Sequence, residues 1–248
     1  MAVATDEVRI GDRPLHIAVG AGHHNATPGD AFETSLNGQV CHAVVNLCRA
    51  SLGFEVRCYT PGDGLGLHAG PVDAGPRAVA TLWDRTWTVD IFHEIHAQAW
   101  PAYPRGRGAF LIYPDGAGLL SDYPNSGEVD ERVREHGLAM ARLLAAATGL
   151  PVGGPSGRGV MSERETLVGG RGCRLRVFAA TATPAMIRHS CRFITEVGAY
   201  TNALDKEILC LPEFPTWQAV GIVRAYASLA RAHLGWTATY WIEGERRP

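Results

Sequence analysis

The sequence predicts an α/β protein, a single domain with a twisted, mostly parallel sheet and helices on both faces. Short apolar runs rich in β-branched and aromatic residues recur along the chain, at Leu15–Val19, Phe54–Thr60, Val89–Trp100, Ala109–Tyr113 and Phe193–Val197. Segments of helical periodicity alternate with them, the pattern of βαβ units. The 248 residues are 46% hydrophobic, enough for one sizeable core. No repeat, low-complexity tract or linker divides the chain, so residues 1–248 are read as one domain with its core at about 15–235.

Composition excludes several classes. A net charge of -2 argues against a nucleic-acid binder, which carries a basic excess. No apolar run approaches the roughly 18 residues of a membrane span, and LAMARLLAAA is short and contains Arg142. The N-terminal MAVATDEVRIGDRP carries acids and no apolar core of a signal peptide, so a cytoplasmic location is expected, with release by lysis as the other route. The six cysteines include no C-x-x-C pair and sit mostly among apolar neighbours, as reduced core residues do.

The first strand runs into Gly20-Ala21-Gly22-His23-His24-Asn25, a turn at a strand's C-terminal end where ligands of open α/β sheets bind. A tight turn with one solvent-facing histidine is the plainer reading. Turn residues Ala26–Asp30 follow, and Asp30 with Glu33 fits an N-cap and N3 pair. Leu36, Val40, Val44, Leu47 and Leu52 then mark a helix of about 18 residues, closed by Gly53. On that reading alone Glu33 is a capping carboxylate. After the strand Phe54–Thr60, residues 61–76 read as a loop; their GDGLG lacks the lysine of a phosphate loop. Arg77–Trp87 is expected to be helical.

The stretch VDIFHEIHAQAW (Val89–Trp100) is the centre of the argument. Alternation along a strand places Glu94, His96 and Gln98 on one face and His93 with Ile95 on the other. This is not the helical H-E-x-x-H of zinc proteases, so partners for His96 must come from elsewhere. Beyond Ala109–Tyr113 comes a loop to Gly127, a helix over Glu128–Thr148 closed by Gly149, a Gly/Arg loop over Pro151–Gly172 and a strand candidate at Arg174–Ala180. Phe193–Val197 is a buried strand bearing Glu196. An ionised carboxylate among Phe193, Ile194 and Val197 is costly unless paired, metal-bound or placed at a solvated strand tip. Helices are expected at Leu204–Leu209 and Thr216–Leu234, and the tail WTATYWIE as an edge strand.

His23, Glu33, His96 and Glu196 thus all fall at strand ends, loops or a helix start. Two histidines and a carboxylate leave a fourth zinc position open, the pattern of a catalytic site. A further glutamate that is not a ligand suits removal of a proton from water.

Together these segments resemble the zinc-dependent N-acetylmuramoyl-L-alanine amidases, which cut the lactyl–peptide amide of peptidoglycan. The family's G-H-G-G is matched by Gly22-His23-His24-Asn25, and its Glu with Asn four residues on by Glu33 and Asn37. Its A-D-x-F-x-S-I-H-A-N-A strand is similar to VDIFHEIHAQA, and its E-x-G-F-x-x-N to Glu196-Val197-Gly198-Ala199-Tyr200-Thr201-Asn202, continued by Asp205 and Leu209. The resemblance implies a zinc-amidase fold of the phosphorylase/hydrolase-like kind and one zinc per chain. It implies His23, Glu33 and His96 as ligands and Glu196 as the catalytic base. His24, Glu94, Gln98, Asn202, Arg158 and Arg171 become candidates for substrate contact.

The departures lie at the pocket. His24 replaces a glycine and competes with His23 as ligand, Glu94 replaces Ser, and Gln98 replaces Asn. Pro184 stands twelve residues before Glu196 rather than next to the catalytic strand. An R-G element falls at Arg158-Gly159 or Arg171-Gly172. Three readings follow: an amidase of peptidoglycan or muropeptides, a zinc hydrolase of a small cytosolic N-acyl or peptide amide, or an inactive amidase-like protein that binds wall fragments. There is no G-x-S-x-G elbow for a serine hydrolase.

Overall fold

The structure, a computed structural model, describes residues 10–22, 31–59, 85, 87–98, 107–115, 129–154, 157–166 and 175–243. Its strands are β1 (Leu15–Ala21), β2 (Phe54–Cys58), β3 (Ile91–Gln98), β4 (Ala109–Tyr113), β5 (Val160–Ser162) and β6 (Cys191–Ala199). Its helices are α1 (Ala31–Ala50), α2 (Glu131–Thr148), α3 (Arg176–Ala180), α4 (Pro184–His189), α5 (Ala203–Leu209) and α6 (Phe214–His233).

The six strands form one sheet in the order β2-β1-β3-β6-β4-β5. The first four are mutually parallel; β4 runs antiparallel to β6 and parallel to β5. Alternate side chains of the sheet feed two cores. On one face Leu15, Ile17, Val19, Ile91, Ile95 and Phe193 pack with apolar residues of α1, α2 and α6. On the other, Ala18, Phe92, Phe110 and Ile194 pack with Val177 and Phe178 of α3 and Met186 of α4. Helices therefore cover both faces, as expected for a largely parallel sheet.

The five expected strands are present. In α1, Leu36, Val40 and Val44 are buried, while Leu52 lies beyond the helix and is exposed. Helix α2 starts at the N-cap Asp130, whose side chain accepts from the Val133 N–H, and ends at left-handed Gly149.

Other expectations are corrected. Arg174–Ala180 is not a strand: Arg176–Ala180 is helical, and Val177 and Phe178 bury against the second face. A run this short has no usable period. The Pro151–Gly172 segment is not all loop, because Val160–Ser162 pairs with Leu111–Tyr113 as β5. The tail joins no strand of the sheet; Trp236 and Trp241 make single bridges to Gly11 and Leu52. Helix α4 was not expected, although Thr183 as N-cap with Pro184 at the first position is a start signal. Asp30, the 61–76 loop and most of the 77–87 helix lie outside the described residues. Among the described residues no helix is long and apolar enough to cross a membrane.

Candidate active site

The site forms at the C-terminal ends of β1, β3 and β6. Asp90 secures the opposite end of β3: its buried carboxylate takes two bonds from Arg13, at 2.6 and 2.7 Å, and one from the His16 N–H at 2.8 Å. At the site end the Gly22 N–H donates to the Ile95 carbonyl at 2.8 Å. Two glycines then explain why bulky groups fit. A Cβ on Gly22 would collide with the His96 ring, and a Cβ on Gly20 would lie 2.5 Å from the Tyr59 ring.

On that glycine shelf the polar groups converge. His96 Nδ1 lies 3.3 Å from Glu33 Oε1, and His96 Nε2 lies 2.8 Å from Glu94 Oε1. Glu33 projects from the first turn of α1 and is 5% exposed. Asn37, one turn later, donates to the Gly22 carbonyl at 3.3 Å and reaches Glu33 Oε1 at 3.5 Å. The Tyr59 hydroxyl stands 3.1 Å from Glu94 Oε2 and 3.2 Å from the His93 carbonyl, within donating reach of both.

Glu196 is the register partner of His96 in the parallel β3–β6 pair. The register shifts beyond them, so that Gln98 pairs with Ala199. Gly198, at φ +79°, takes a backbone conformation that suits glycine, and a Cβ there would lie 2.6 Å from Leu209. Asp205, fully buried on α5, accepts from the Ala199 N–H at 3.0 Å, the Gly108 N–H at 2.7 Å and Arg107 Nε at 2.9 Å. It ties the end of β6 to the entry of β4.

The electrostatics follow from packing. Burial pushes the Glu196 carboxyl up to about 8; His96 opposes the rise, and Glu33 and Glu94 add to it. For His96 burial disfavours the imidazolium, but hydrogen bonds to Glu33 and Glu94 and the charges of Glu196 and Glu94 outweigh it, holding the pKa well above the usual histidine value. His93 behaves oppositely. It is wholly buried between the Tyr226 hydroxyl at 2.5 Å and Thr195 Oγ1 at 2.8 Å. Burial, reinforced by His96, pushes its pKa well down, so it is a neutral core histidine.

The structure thus brings together Glu33, Glu94, His96 and Glu196. His23, His24 and Arg171 lie outside the described residues. Gln98 follows on the same strand face, and its buried Oε1 meets no hydrogen-bond partner among the described residues. Asn202 caps α5, accepting from the Leu204 and Asp205 N–H groups. Arg158 pairs with Glu165 beside β5. Among the described residues no group of three or more His, Cys, Asp or Glu is arranged to hold a metal ion. Sequence reasoning missed Tyr59, whose one signal was the small residue Gly20 on the strand it crosses. Of the six cysteines, Cys41, Cys48, Cys58, Cys191 and Cys210 form no disulfide among the described residues, and Cys173 lies outside them.

No family model matches the sequence, and no curated protein matches it either. Solved structures do. An N-acetylmuramoyl-L-alanine amidase from Clostridium difficile 630 superposes with a TM-score of 0.59 at 14% identity, over 89% of this chain and 99% of that one. The N-acetylmuramyl-L-alanine amidase of Mycobacterium smegmatis matches with a TM-score of 0.55 at 19% identity, over 89% and 98%. The apo form of the corresponding amidase of Mycobacterium abscessus gives 0.58 at 18% identity, over 87% and 99%. With its strand order, two-faced helix cover and near full-length overlap, the chain has the fold of the N-acetylmuramoyl-L-alanine amidases.

Proposed function

We propose that the protein is a zinc-dependent amidase that cleaves the lactyl–peptide amide of peptidoglycan or of muropeptides. The observation that carries this reading is the pairing of Glu196, a carboxyl raised to about 8, with His96, itself in contact with Glu33.

The donor set fits zinc. Donors of a tetrahedral zinc with bonds of about 2.0–2.1 Å stand roughly 3.3 Å apart. His96 Nδ1 and Glu33 Oε1 are 3.3 Å apart. In the metal-free protein the Nδ1–H of His96 donates to Glu33; a cation would take the place of that proton, with the Nε2–H still donated to Glu94. Glu33, His96 and His23 would hold one zinc per chain, with His24 competing for the place of His23. Gly22, the residue before His23, already touches His96.

Zinc supplies Lewis-acid polarisation of the amide carbonyl and acidification of water. Glu196 takes a proton from the attacking water and delivers it to the leaving amine nitrogen. Its raised pKa owes part of its size to Glu33 and Glu94, so neutralising those charges returns it toward the range a base needs near pH 7. His24, Glu94, Gln98, Asn202, Arg158 and Arg171 are the candidates to orient substrate.

A second reading, hydrolysis of a small N-acyl or peptide amide, is favoured by one observation. Glu94 and Gln98 stand where the resembled family carries Ser and Asn, and both are on the His96 face of β3. Metal analysis of the purified protein, joined to a turnover screen of muropeptides against N-acyl amino acids, separates the two. About one zinc per chain with muropeptide cleavage is expected. Full activity in metal-free protein would overturn the mechanism.

A further inference from the structure

We infer that Tyr59 and Glu94 form a positioning relay behind His96, fixing which imidazole nitrogen faces the Glu33 side. The inference rests on the reading of Glu33 and His96 as metal ligands and goes beyond it to residues that the ligand set does not contain.

The two nitrogens of His96 are not equivalent. Nε2 makes the shorter contact, 2.8 Å to Glu94 Oε1, and Nδ1 the longer, 3.3 Å to Glu33 Oε1. Glu33 and Glu94 are both acceptors, so each ring nitrogen faces a carboxylate; a cation on the Glu33 side would displace the Nδ1 proton and leave the ring N–H on Nε2 with Glu94. The lone pair of Nδ1 is then directed to the Glu33 side. Histidines that bind metal commonly donate their other N–H to a carboxylate, which fixes the tautomer and raises the basicity of the ligating nitrogen.

Glu94 has its own support. Its Oε2 lies 3.1 Å from the Tyr59 hydroxyl. Tyr59 belongs to the chain just beyond β2, and β1 lies between β2 and β3. Its ring must therefore cross β1 to reach Glu94. It crosses at Gly20, the register partner of Glu94, where a Cβ would lie 2.5 Å from the ring. Stacking on Phe92, with centroids 4.6 Å apart, holds the ring in that passage. Each member is thus placed by a separate feature of the fold: Gly20 opens the passage, Phe92 seats the ring, and strand alternation puts Glu94 beside His96.

The test measures zinc affinity, by competition against a chromophoric chelator, in wild type, Glu94→Ser, Glu94→Gln, Tyr59→Phe and His96→Ala, with circular dichroism as the check on folding. Glu94→Ser should weaken zinc about 10–100-fold, the usual effect of losing such a support. Glu94→Gln keeps an oxygen that accepts the Nε2–H and should lose less. Tyr59→Phe keeps the stacked ring and should also lose less than Glu94→Ser. Unchanged affinity in Glu94→Ser, or a loss in Glu94→Gln as large as in Glu94→Ser, overturns the relay. So does a Glu94→Ser protein as metal-poor as His96→Ala, since Glu94 would then be a ligand. A wild type without zinc affinity, or an unaffected His96→Ala, overturns the proposed function and the relay with it; a flat Glu94 series beside a metal-poor His96→Ala removes the relay alone.

Discussion

His96 and Glu196 are register partners across the parallel β3–β6 pair, and the register shifts immediately after them. Bulges of this kind re-aim side chains and recur next to active sites. Here the extra residue lies between Glu196 and Ala199, on the strand carrying the proposed base. The imidazole and the carboxyl are held side by side, yet each comes from a different strand, so either can be altered without moving the backbone of the other.

Glu196→Gln therefore separates base from ligand. It preserves size and some hydrogen bonding and removes the proton acceptor. The variant should fold, keep zinc and lose about a hundredfold to ten-thousandfold in rate, the usual contribution of a general base. His96→Ala should lose both metal and activity. Zinc content and kcat on the two proteins decide the matter; an active Glu196→Gln enzyme removes Glu196 from the mechanism and leaves Glu94 as the next candidate base.

The same substitution has a pH signature in metal-free protein. The folded-state pKa of Glu196 is raised to about 8 from an ordinary 4.5. Its contribution to stability is thus complete below the unfolded value and is lost as pH rises through about 8. His96, also raised, loses its contribution in the same direction, and by less in the variant, which lacks the Glu196 charge that helps raise it. With zinc chelated, wild type and Glu196→Gln should melt close together at pH 5. By pH 8 the variant should be the more stable, by on the order of a few kcal/mol. A gap that does not change with pH would refute the burial of charge at this strand end.

Much of this site was legible because it follows simple periods. Alternation along VDIFHEIHAQAW places Glu94 and His96 on one face and His93 with Ile95 on the other, and the structure has them so, with His93 buried in the core. The cost of a carboxylate among Phe193, Ile194 and Val197 singled out Glu196. Tyr59 was not legible, since its contact with Glu94 depends on β1 lying between β2 and β3, and sequence does not print strand order. Strand β5 is three residues long, too short to carry a period; it pairs with β4, and Gly137 of α2 leaves room for it, since a Cβ there would lie 2.5 Å from Val160. Arg176–Ala180 is ambiguous for the same reason of length.

The glycine shelf predicts opposite outcomes for two Gly→Ala changes. At Gly22 the new methyl collides with the His96 ring. Gly22→Ala should weaken zinc binding and lower stability by about 1–3 kcal/mol, the common cost of overpacking. At Gly38, exposed in the middle of α1, a Cβ meets nothing within 4 Å. Gly38→Ala should stabilise by about 0.4–1 kcal/mol through the unfolded state and leave zinc untouched. Thermal melts and zinc titrations of the pair test the shelf, and equal effects at both sites would argue against it.

Asp205 supplies the last prediction, because it holds the segment that follows Glu196 without belonging to the polar cluster. Its buried carboxylate satisfies the N–H groups of Ala199 and Gly108 and pairs with Arg107. Removing one partner of a buried pair typically costs about 3–5 kcal/mol, since the remaining groups are left without their bonds. Asp205→Ala should therefore be strongly destabilised. Asp205→Asn keeps one acceptor oxygen and should fold: with that oxygen in the Oδ2 place that Ala199 and Gly108 share, Arg107 loses its partner and both N–H bonds lose the carboxylate charge. Ala199 lies three residues beyond Glu196 and pairs with Gln98, so slack there reaches the base before it reaches the His96–Glu33 pair. Asp205→Asn should accordingly lower kcat more than it raises KM and leave zinc affinity near wild type. Zinc affinity that falls as far as kcat would show that Asp205 supports the metal side of the site instead of the Glu196 strand.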